Sequence, residues 1–499
     1  MTLSRTATVA IVVVLFVVAS ATAYLVSGGM KVALTTSSPT QPTVCLPLGG
    51  TKVVKNLVQN VTFGAVTEFA LPTPSRWPNA LTVAPDGSVW FGEQSVPGVG
   101  HLYKNGTLVE YPWPTAGWST SASCGYRTGI WGITLWDGMV WASDGDENAL
   151  VGINPQYGVS TIVNLTGVAP LPYTLAVSPE GDLWFTTESS TPKLGRLTPD
   201  MSLTVYSVDS LDGDIPLQVD FVNASYAYFV GLNPYNPPYG HLYSFDPETM
   251  GATIDPARVG GAMKVIEPTS VSASGVMVWV AQHGTSSIIG YDTLSGQWTI
   301  YPTSVVNYTQ TTLPYFVAAS DGTVWFNEHY ANRIALLNSS AGTLTEYSES
   351  DPPASNSLGI QNDVTIYSGN GTLWFASISG NYIGFVNEEY KPPFSISSLE
   401  ESTLNVTEGT NSISTMRVTG SWGTELAIEV ADSENLNSST SQMRVVPSVG
   451  TIPAGEGPIT FSVSLTATPD LAPGRYTVAV SVSDGLLVQT AYLFLTVQQ

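Results

Sequence analysis

One phrase recurs along this chain, and its spacing constrains the fold more than any other feature. "DGSVWFGE" (Asp86–Glu93), "DGMVWASD" (Asp137–Asp144), "EGDLWFTTE" (Glu180–Glu188), "SGVMVWVAQ" (Ser274–Gln282), "DGTVWFNE" (Asp321–Glu328) and "NGTLWFAS" (Asn370–Ser377) are copies of it. "NASYAYFVG" (Asn223–Gly231) is a degenerate copy. The anchors Trp90, Trp141, Trp184, Tyr228, Trp279, Trp325 and Trp374 follow one another at intervals of 51, 43, 44, 51, 46 and 49 residues. That period is longer than most helical repeats and suits a propeller blade.

Each unit reads as strand, tight Asp-Gly-type turn, aromatic strand, loop, an "IGxI"-like strand and a "GTLTEY"-like strand. Four short strands make too small a sheet to stand alone, and closing a ring buries each sheet against its neighbours. The last unit supplies "VTIYS", "TLWFAS" and "YIGFVN", then leaves the pattern at "EEYKPP" with no outer strand. The missing strand appears upstream of the first unit, in "NVTFGAVTEFALP" (Asn60–Pro72), which matches "GTLVEYPWP" and "GTLTEYSES". The sequence therefore predicts a seven-bladed β-propeller over residues 60–393, with Val61–Phe69 pairing into the blade of Trp374.

After Pro393 the register changes. In "PGRYTVAVSVSDGLLVQTAYLFLTV" (Pro473–Val497), Tyr476, Val478, Val480 and Val482 alternate onto one face before an Asp484-Gly485 turn. Residues 394–499 are expected to form an immunoglobulin-like β-sandwich. With 46 Gly, 34 Pro, 13 Trp and 23 Tyr, and no long amphipathic helical pattern, the fold class is all-β.

The first residues address the chain to a membrane or across it. Arg5 precedes an apolar run from Ala7 to Val26, long enough at about 1.5 Å per residue to cross a hydrocarbon core of about 30 Å. Ala21-Thr22-Ala23 also fits a signal-peptidase site, so residues 1–30 are a signal-anchor helix or a removed signal peptide. A Ser/Thr/Pro-rich linker, residues 31–59, follows ("TTSSPTQPT"). The bulk is expected outside the cell, membrane-anchored at the cell surface or secreted. Nine N-glycosylation sequons agree with export: Asn60, Asn105, Asn164, Asn223, Asn307, Asn338, Asn370, Asn405 and Asn437. In an oxidising compartment Cys45 and Cys124, the only two cysteines, are a candidate disulfide. The formal charge of −23 makes nucleic acid an unsuitable partner.

"DGxxWFxE" with the "IGxI" and "GTxxEY" strands resembles the virginiamycin B lyase (streptogramin lyase) family of seven-bladed propellers, over about residues 60–390. The resemblance implies a lyase that opens a cyclic depsipeptide by elimination, with a histidine base and a glutamate-bound magnesium ion. It also places those histidines in "PHGI" phrases at the openings of first strands, one of them preceded by glutamate. Imidazole titrates near neutrality, as removal of a proton beside a carbonyl requires, and magnesium would stabilise the developing charge. The openings here carry Asn79, Tyr173, Leu217, Thr269 and Tyr315. Glu267-Pro268-Thr269 keeps the glutamate and has threonine where the base would be. That absence of histidine argues against lyase activity.

Other titratable residues end the second strands. Glu93, Asp144, Glu188, Gln282, His283, Glu328 and His329 come from five blades, and convergent oxygens at the channel mouth would suit a divalent cation, calcium or magnesium. The competing reading is that they cap strand ends and turns. His101 and His241, in "GHLY" phrases, belong to the rim. Walker, G-x-S-x-G, H-E-x-x-H and C-x-x-C motifs are missing. The sequence favours a cell-surface binding or scaffold module for a protein or glycan ligand. A streptogramin-lyase-like or lactone-acting enzyme and a structural glycoprotein of an envelope or array are the alternatives.

Overall fold

The computed structural model describes residues 35–36, 44–45, 53–55, 58–72, 77–93, 98–112, 129–207, 214–233, 239–247, 255–256, 265–305, 312–320, 322–350, 363–369, 372–378, 380–387, 389–400, 402–407, 409–433 and 443–498. Seven antiparallel sheets, numbered here as blades 1 to 7, span 78–112, 130–164, 172–207, 215–266, 268–302, 314–348 and 363–386. Blade 3 shows the common plan: Pro172–Val177, Leu183–Thr187, Lys193–Leu197 and Leu203–Ser207 pair in sequence order. First strands of consecutive blades lie side by side around an axis, and that of blade 7 returns to that of blade 1. The molecule is an all-β propeller.

Local sequence explains the blade. Gly181 turns the first hairpin of blade 3 at φ +89°, a conformation that suits glycine far better than other residues. The glycine of the "IGxI" strand has a different purpose. Gly195 pairs across the ladder with Phe185, and a Cβ on it would lie 2.0 Å from the Phe185 ring. Gly384 relates to Phe375 in the same way, at 2.2 Å. The bare backbone lets an aromatic ring lie flat on its neighbour strand, which is why glycine and aromatic recur together. The anchors Trp90, Trp141, Trp184, Trp279 and Trp374 are all fully buried.

Blade 7 closes the ring. Val66–Ala70 pairs with Tyr382–Val386, setting Phe69 opposite Ile383, and Asn60–Phe63 pairs outside it. Phe69, Leu81, Phe91, Trp374 and Ile383 then share one core between blades 7 and 1. The fourth strand absent from the last repeat thus comes from upstream of the first.

The segment expected as a linker behaves differently. Thr35–Thr36, Val44–Cys45 and Val53–Lys55 pair with the outer strands of blades 3, 2 and 1. These three short pairings form a belt of added strands on blades 3, 2 and 1, covering edges whose free N–H and C=O groups would otherwise invite association. Residues 1–30 and Cys124 lie outside the described residues, and with them the membrane or signal segment and the Cys45–Cys124 pairing. Among the described residues no helix is long and apolar enough to cross a membrane. Asn60, Asn105, Asn164, Asn223 and Asn405 are exposed and Asn338 is half-buried, while Asn307, Asn370 and Asn437 lie outside the described residues.

From Phe394 onward two sheets face each other across a core that includes Met416, Val418, Phe461, Val480 and Leu493. The last strand, Leu487–Gln498, also pairs with Thr343–Ser348 of blade 6. Blade 6 and one C-terminal sheet are therefore a single sheet of nine strands. The C-terminal unit is fused to the propeller through backbone hydrogen bonds.

Candidate ligand site at the channel mouth

Where a second strand ends, the next backbone N–H bonds to the residue just before that blade's first strand. Glu188 N donates to Leu171 O at 2.9 Å, His283 N to Glu267 O at 3.0 Å and His329 N to Leu313 O at 3.1 Å. Leu171, Glu267 and Leu313 have φ of 55°, 48° and 54°. Non-glycine residues rarely adopt this left-handed region, and each costs on the order of 1–3 kcal/mol. Repetition in three blades shows that the ring imposes it. The strained turn brings the end of strand two over the start of strand one, at the channel mouth.

Four titratable side chains, Glu188, Glu267, His283 and His329, lie there around two tyrosines. His283 opens a short 3-10 turn, His283–Thr285, and its Nδ1 lies 3.3 Å from Glu267 Oε2. The His283 and His329 rings approach edge to face at 5.3 Å. The Tyr315 ring stacks on His329 at 5.1 Å and meets the His283 ring edge-on at 5.8 Å. Tyr315 OH is 3.4 Å from Tyr173 OH, and the Tyr173 ring tilts against Trp131.

Burial sets the protonation of this group. It raises the Glu188 carboxyl to about 7. It also raises the Tyr315 hydroxyl to about 12, with the nearby Glu188 charge adding to the effect, and lifts Tyr173 well above the usual tyrosine range. Both phenols stay protonated and offer hydrogen. His283 Nε2 is buried and has no hydrogen-bond partner among the described residues. The mouth is thus rich in donors and stacking faces. Below it, first strands line a cavity of about 460 Å³ with Thr174, Gln218, Asp220 and Ser272 among its walls. Asp220 accepts from the backbone N–H of Phe221 and Ala273, each at 2.8 Å, and burial raises its carboxyl.

Four of the seven sequence candidates stay out of this cluster. Asp144 accepts from Glu147 N at 3.1 Å, which fixes a turn. Gln282 Nε2 donates to Ser287 Oγ at 2.9 Å, within its own blade. Glu93 is buried where its strand pairs with Pro78 and Gly98. Glu328 is fully buried beside Glu346, Thr312 and Arg333, and that burial pushes its carboxyl well above the usual range. Among the described residues no three His, Cys, Asp or Glu side chains gather to hold a metal ion. Glu93, Asp144, Gln282 and Glu328 each end a second strand, one residue before the position that Glu188, His283 and His329 occupy.

The strand-opening positions also have structural duties. Thr269 Oγ1 donates to Tyr315 O at 2.6 Å and Thr174 Oγ1 to Leu217 O at 2.7 Å, tying each first strand to the next. Thr269 spends its hydroxyl on this tie. The rim histidines are held locally: the His101 ring stacks on Trp90 at 3.8 Å, and His241 Nδ1 lies 2.7 Å from Asp214 Oδ2. Sequence reasoning had noted Tyr173, Tyr315 and Glu267 only as openings lacking a base. It missed Trp131.

Ring closure, strained turns and a titratable mouth define a β-propeller with its functional candidates at one end of the channel. Residues 51–208 match the model of the Virginiamycin B lyase family. The chain is similar to a catalytically inactive virginiamycin B lyase from Staphylococcus aureus with quinupristin, at 19% identity and TM-score 0.50, over 64% of this chain and 98% of that one. A selenomethionine-substituted virginiamycin B lyase from the same organism gives 22% identity and TM-score 0.49, over 64% and 98%. A streptogramin B lyase structure gives 20% and 0.49, over 67% and 99%. No curated protein matches the chain. At these identities the likeness is one of fold.

Proposed function

We propose that this chain is an exported binding propeller whose channel mouth takes a carbonyl-rich, peptide-like ligand. The observation supporting this reading is the ring cluster of His283, Tyr315 and His329, with Tyr173 against Tyr315 and the Glu188 charge nearby, in which both phenols stay protonated. Such a surface donates hydrogen bonds and stacks, which is how a preformed concave site orients an amide-bearing molecule. In the same reading the N-terminal helix anchors or exports the chain with its bulk outside, and the exposed sequons accept glycans. The C-terminal unit is an immunoglobulin-like sandwich that holds blade 6. A streptogramin B depsipeptide is a suitable probe, being cyclic and carbonyl-rich. The chain has four histidines, so their imidazole resonances can be followed one by one. Titration should shift the His283 and His329 signals, leave His101 and His241 in place, and produce no linear depsipeptide with magnesium present. Unmoved signals at millimolar probe would sink the binding reading.

One observation favours the enzyme alternative. Glu267, the glutamate that the resemblance points to, contacts His283 at 3.3 Å, so an imidazole oriented by a carboxylate does exist at the mouth, supplied by the loop rather than the strand opening. Linearisation of the depsipeptide that disappears in His283→Ala would establish that reading instead.

A further inference from the structure

Blade 5 treats its outer edge unlike blades 1, 2, 3, 6 and 7, each of which gains a further strand there. Among the described residues Gln297–Pro302 gains no further strand, and the C-terminal unit lies beside it. Tyr492 OH donates to Pro302 O at 2.9 Å, and the Tyr301 ring meets Phe494 edge-on. Beside these contacts lies a cleft of about 320 Å³. That volume lies at the lower end of the range for small-ligand pockets, about 300–1,000 Å³, and domain interfaces are where such pockets concentrate.

Its walls are chemically specific. Trp298, Tyr476 and Phe494 supply aromatic surface, and four threonines and one serine supply hydroxyl groups. The Trp298 ring lies 4.5 Å from that of Tyr291, which fixes its plane. Its Nε1 is buried and lacks an acceptor among the described residues. Arg475 stands at the lip, where Nη1 donates to Gln297 Oε1 at 2.6 Å across the two units. No described carboxylate pairs with Arg475, although the chain carries 39 acidic residues against 16 basic ones. An exposed guanidinium left without an acid in so acidic a chain fits an anionic ligand.

These features together select among ligands. Aromatic faces accept the apolar face of a pyranose ring, hydroxyl walls exchange bonds with its hydroxyl groups, and the buried indole N–H requires an acceptor. A neutral sugar would leave Arg475 unused, and an apolar carboxylic acid would leave the hydroxyl walls unpaired. We propose that the cleft between blade 5 and the C-terminal unit binds a hexuronate residue of a glycan, with its carboxylate on Arg475 and its ring against Trp298.

The test uses calorimetric or saturation-transfer titration of the full chain with methyl glucuronide and methyl glucoside. The glucuronide should bind saturably and the glucoside about tenfold more weakly, as a single charge-assisted contact implies. Arg475→Gln, at an exposed position, should abolish that difference. Trp298→Phe keeps a ring but removes the N–H, and should weaken both sugars. His283→Ala should change neither, because the mouth is a separate site. Absence of saturable glucuronide binding by a chain with an unaltered melting temperature overturns the proposal. So does equal affinity for the two sugars, or an Arg475→Gln variant that still distinguishes them.

Discussion

Gln282 and His283 are neighbours in sequence, as are Glu328 and His329, yet each pair is divided between two parts of the molecule. Gln282 and Glu328 close the second strand and point into the blade, where Ser287 and the Glu346–Arg333 group occupy them. His283 and His329 come one residue later, where their backbone N–H groups bond to the strained Glu267 and Leu313, and meet at the mouth with their rings 5.3 Å apart. One residue of register separates a side chain absorbed by the fold from one presented to a ligand. The difference teaches that an acid at a strand end is weak grounds for a site until its face is known.

If body and mouth are distinct in this way, substitutions should sort by which side they touch. The largest loss is expected deep in the body. Trp374→Ala removes a fully buried ring shared by blades 7 and 1 and should cost about 3–5 kcal/mol in denaturant unfolding. A cost below about 1 kcal/mol would mean that the ring closure does not rest on this core.

Gly195→Ala comes next. It forces a methyl group toward the Phe185 ring and should destabilise by about 1–3 kcal/mol. Pairing it with Phe185→Leu should recover part of that loss, which a double-mutant cycle would measure. Independent, additive losses would refute the packing explanation of the repeated glycine.

The carboxyls give a pH dependence with a definite sign. Glu188 and Glu429 are raised by burial to about 7, and burial holds Glu328 well above the usual carboxylate range. A carboxyl with a raised folded pKa holds its proton more tightly when folded. Its stabilising contribution is full below the unfolded value near 4.5 and is lost as pH rises through about 7. Melting temperature should therefore fall between pH 5 and 8. Glu328→Gln, neutral at every pH, should flatten this decline and raise stability at pH 8 more than at pH 4. A profile rising with pH would contradict the burial of these acids, Glu328 and Glu429 in the body and Glu188 at the mouth.

The smallest effect belongs to the mouth. His283→Ala should change unfolding free energy by about 1 kcal/mol, because the ring packs against Glu267, Tyr315 and His329 at the mouth and not in a blade core. The same variant should remove the probe response expected of the site. A large stability loss would place His283 in the body and erase the comparison.

The repeat made much of the fold legible. Aromatic anchors, Asp-Gly turns and the "IGxI" glycine specify blades because each rests on short-range geometry: a hairpin conformation, a ring over bare backbone, a face buried by the next unit. The displaced outer strand was legible for the same reason, since Val66–Ala70 carries the pattern of its sister strands. The belt was not legible. Two- and three-residue pairings at 35–55 leave no periodic trace in a Ser/Thr/Pro-rich stretch. The union of blade 6 with the C-terminal unit was equally hidden, because Leu487–Gln498 reads as a hairpin strand whichever sheet lies on its far side.

The sequence by itself determined that this chain forms blades, how many repeats it carries, and that its strand openings lack histidine. Those are properties of spacing and of residue type. Only the tertiary structure decided that Glu188, His283 and His329 meet around Tyr173 and Tyr315 while Glu93, Asp144, Gln282 and Glu328 do not. That outcome depends on left-handed turns at Leu171, Glu267 and Leu313 and on contacts between blades more than a hundred residues apart, and local sequence pattern carries neither.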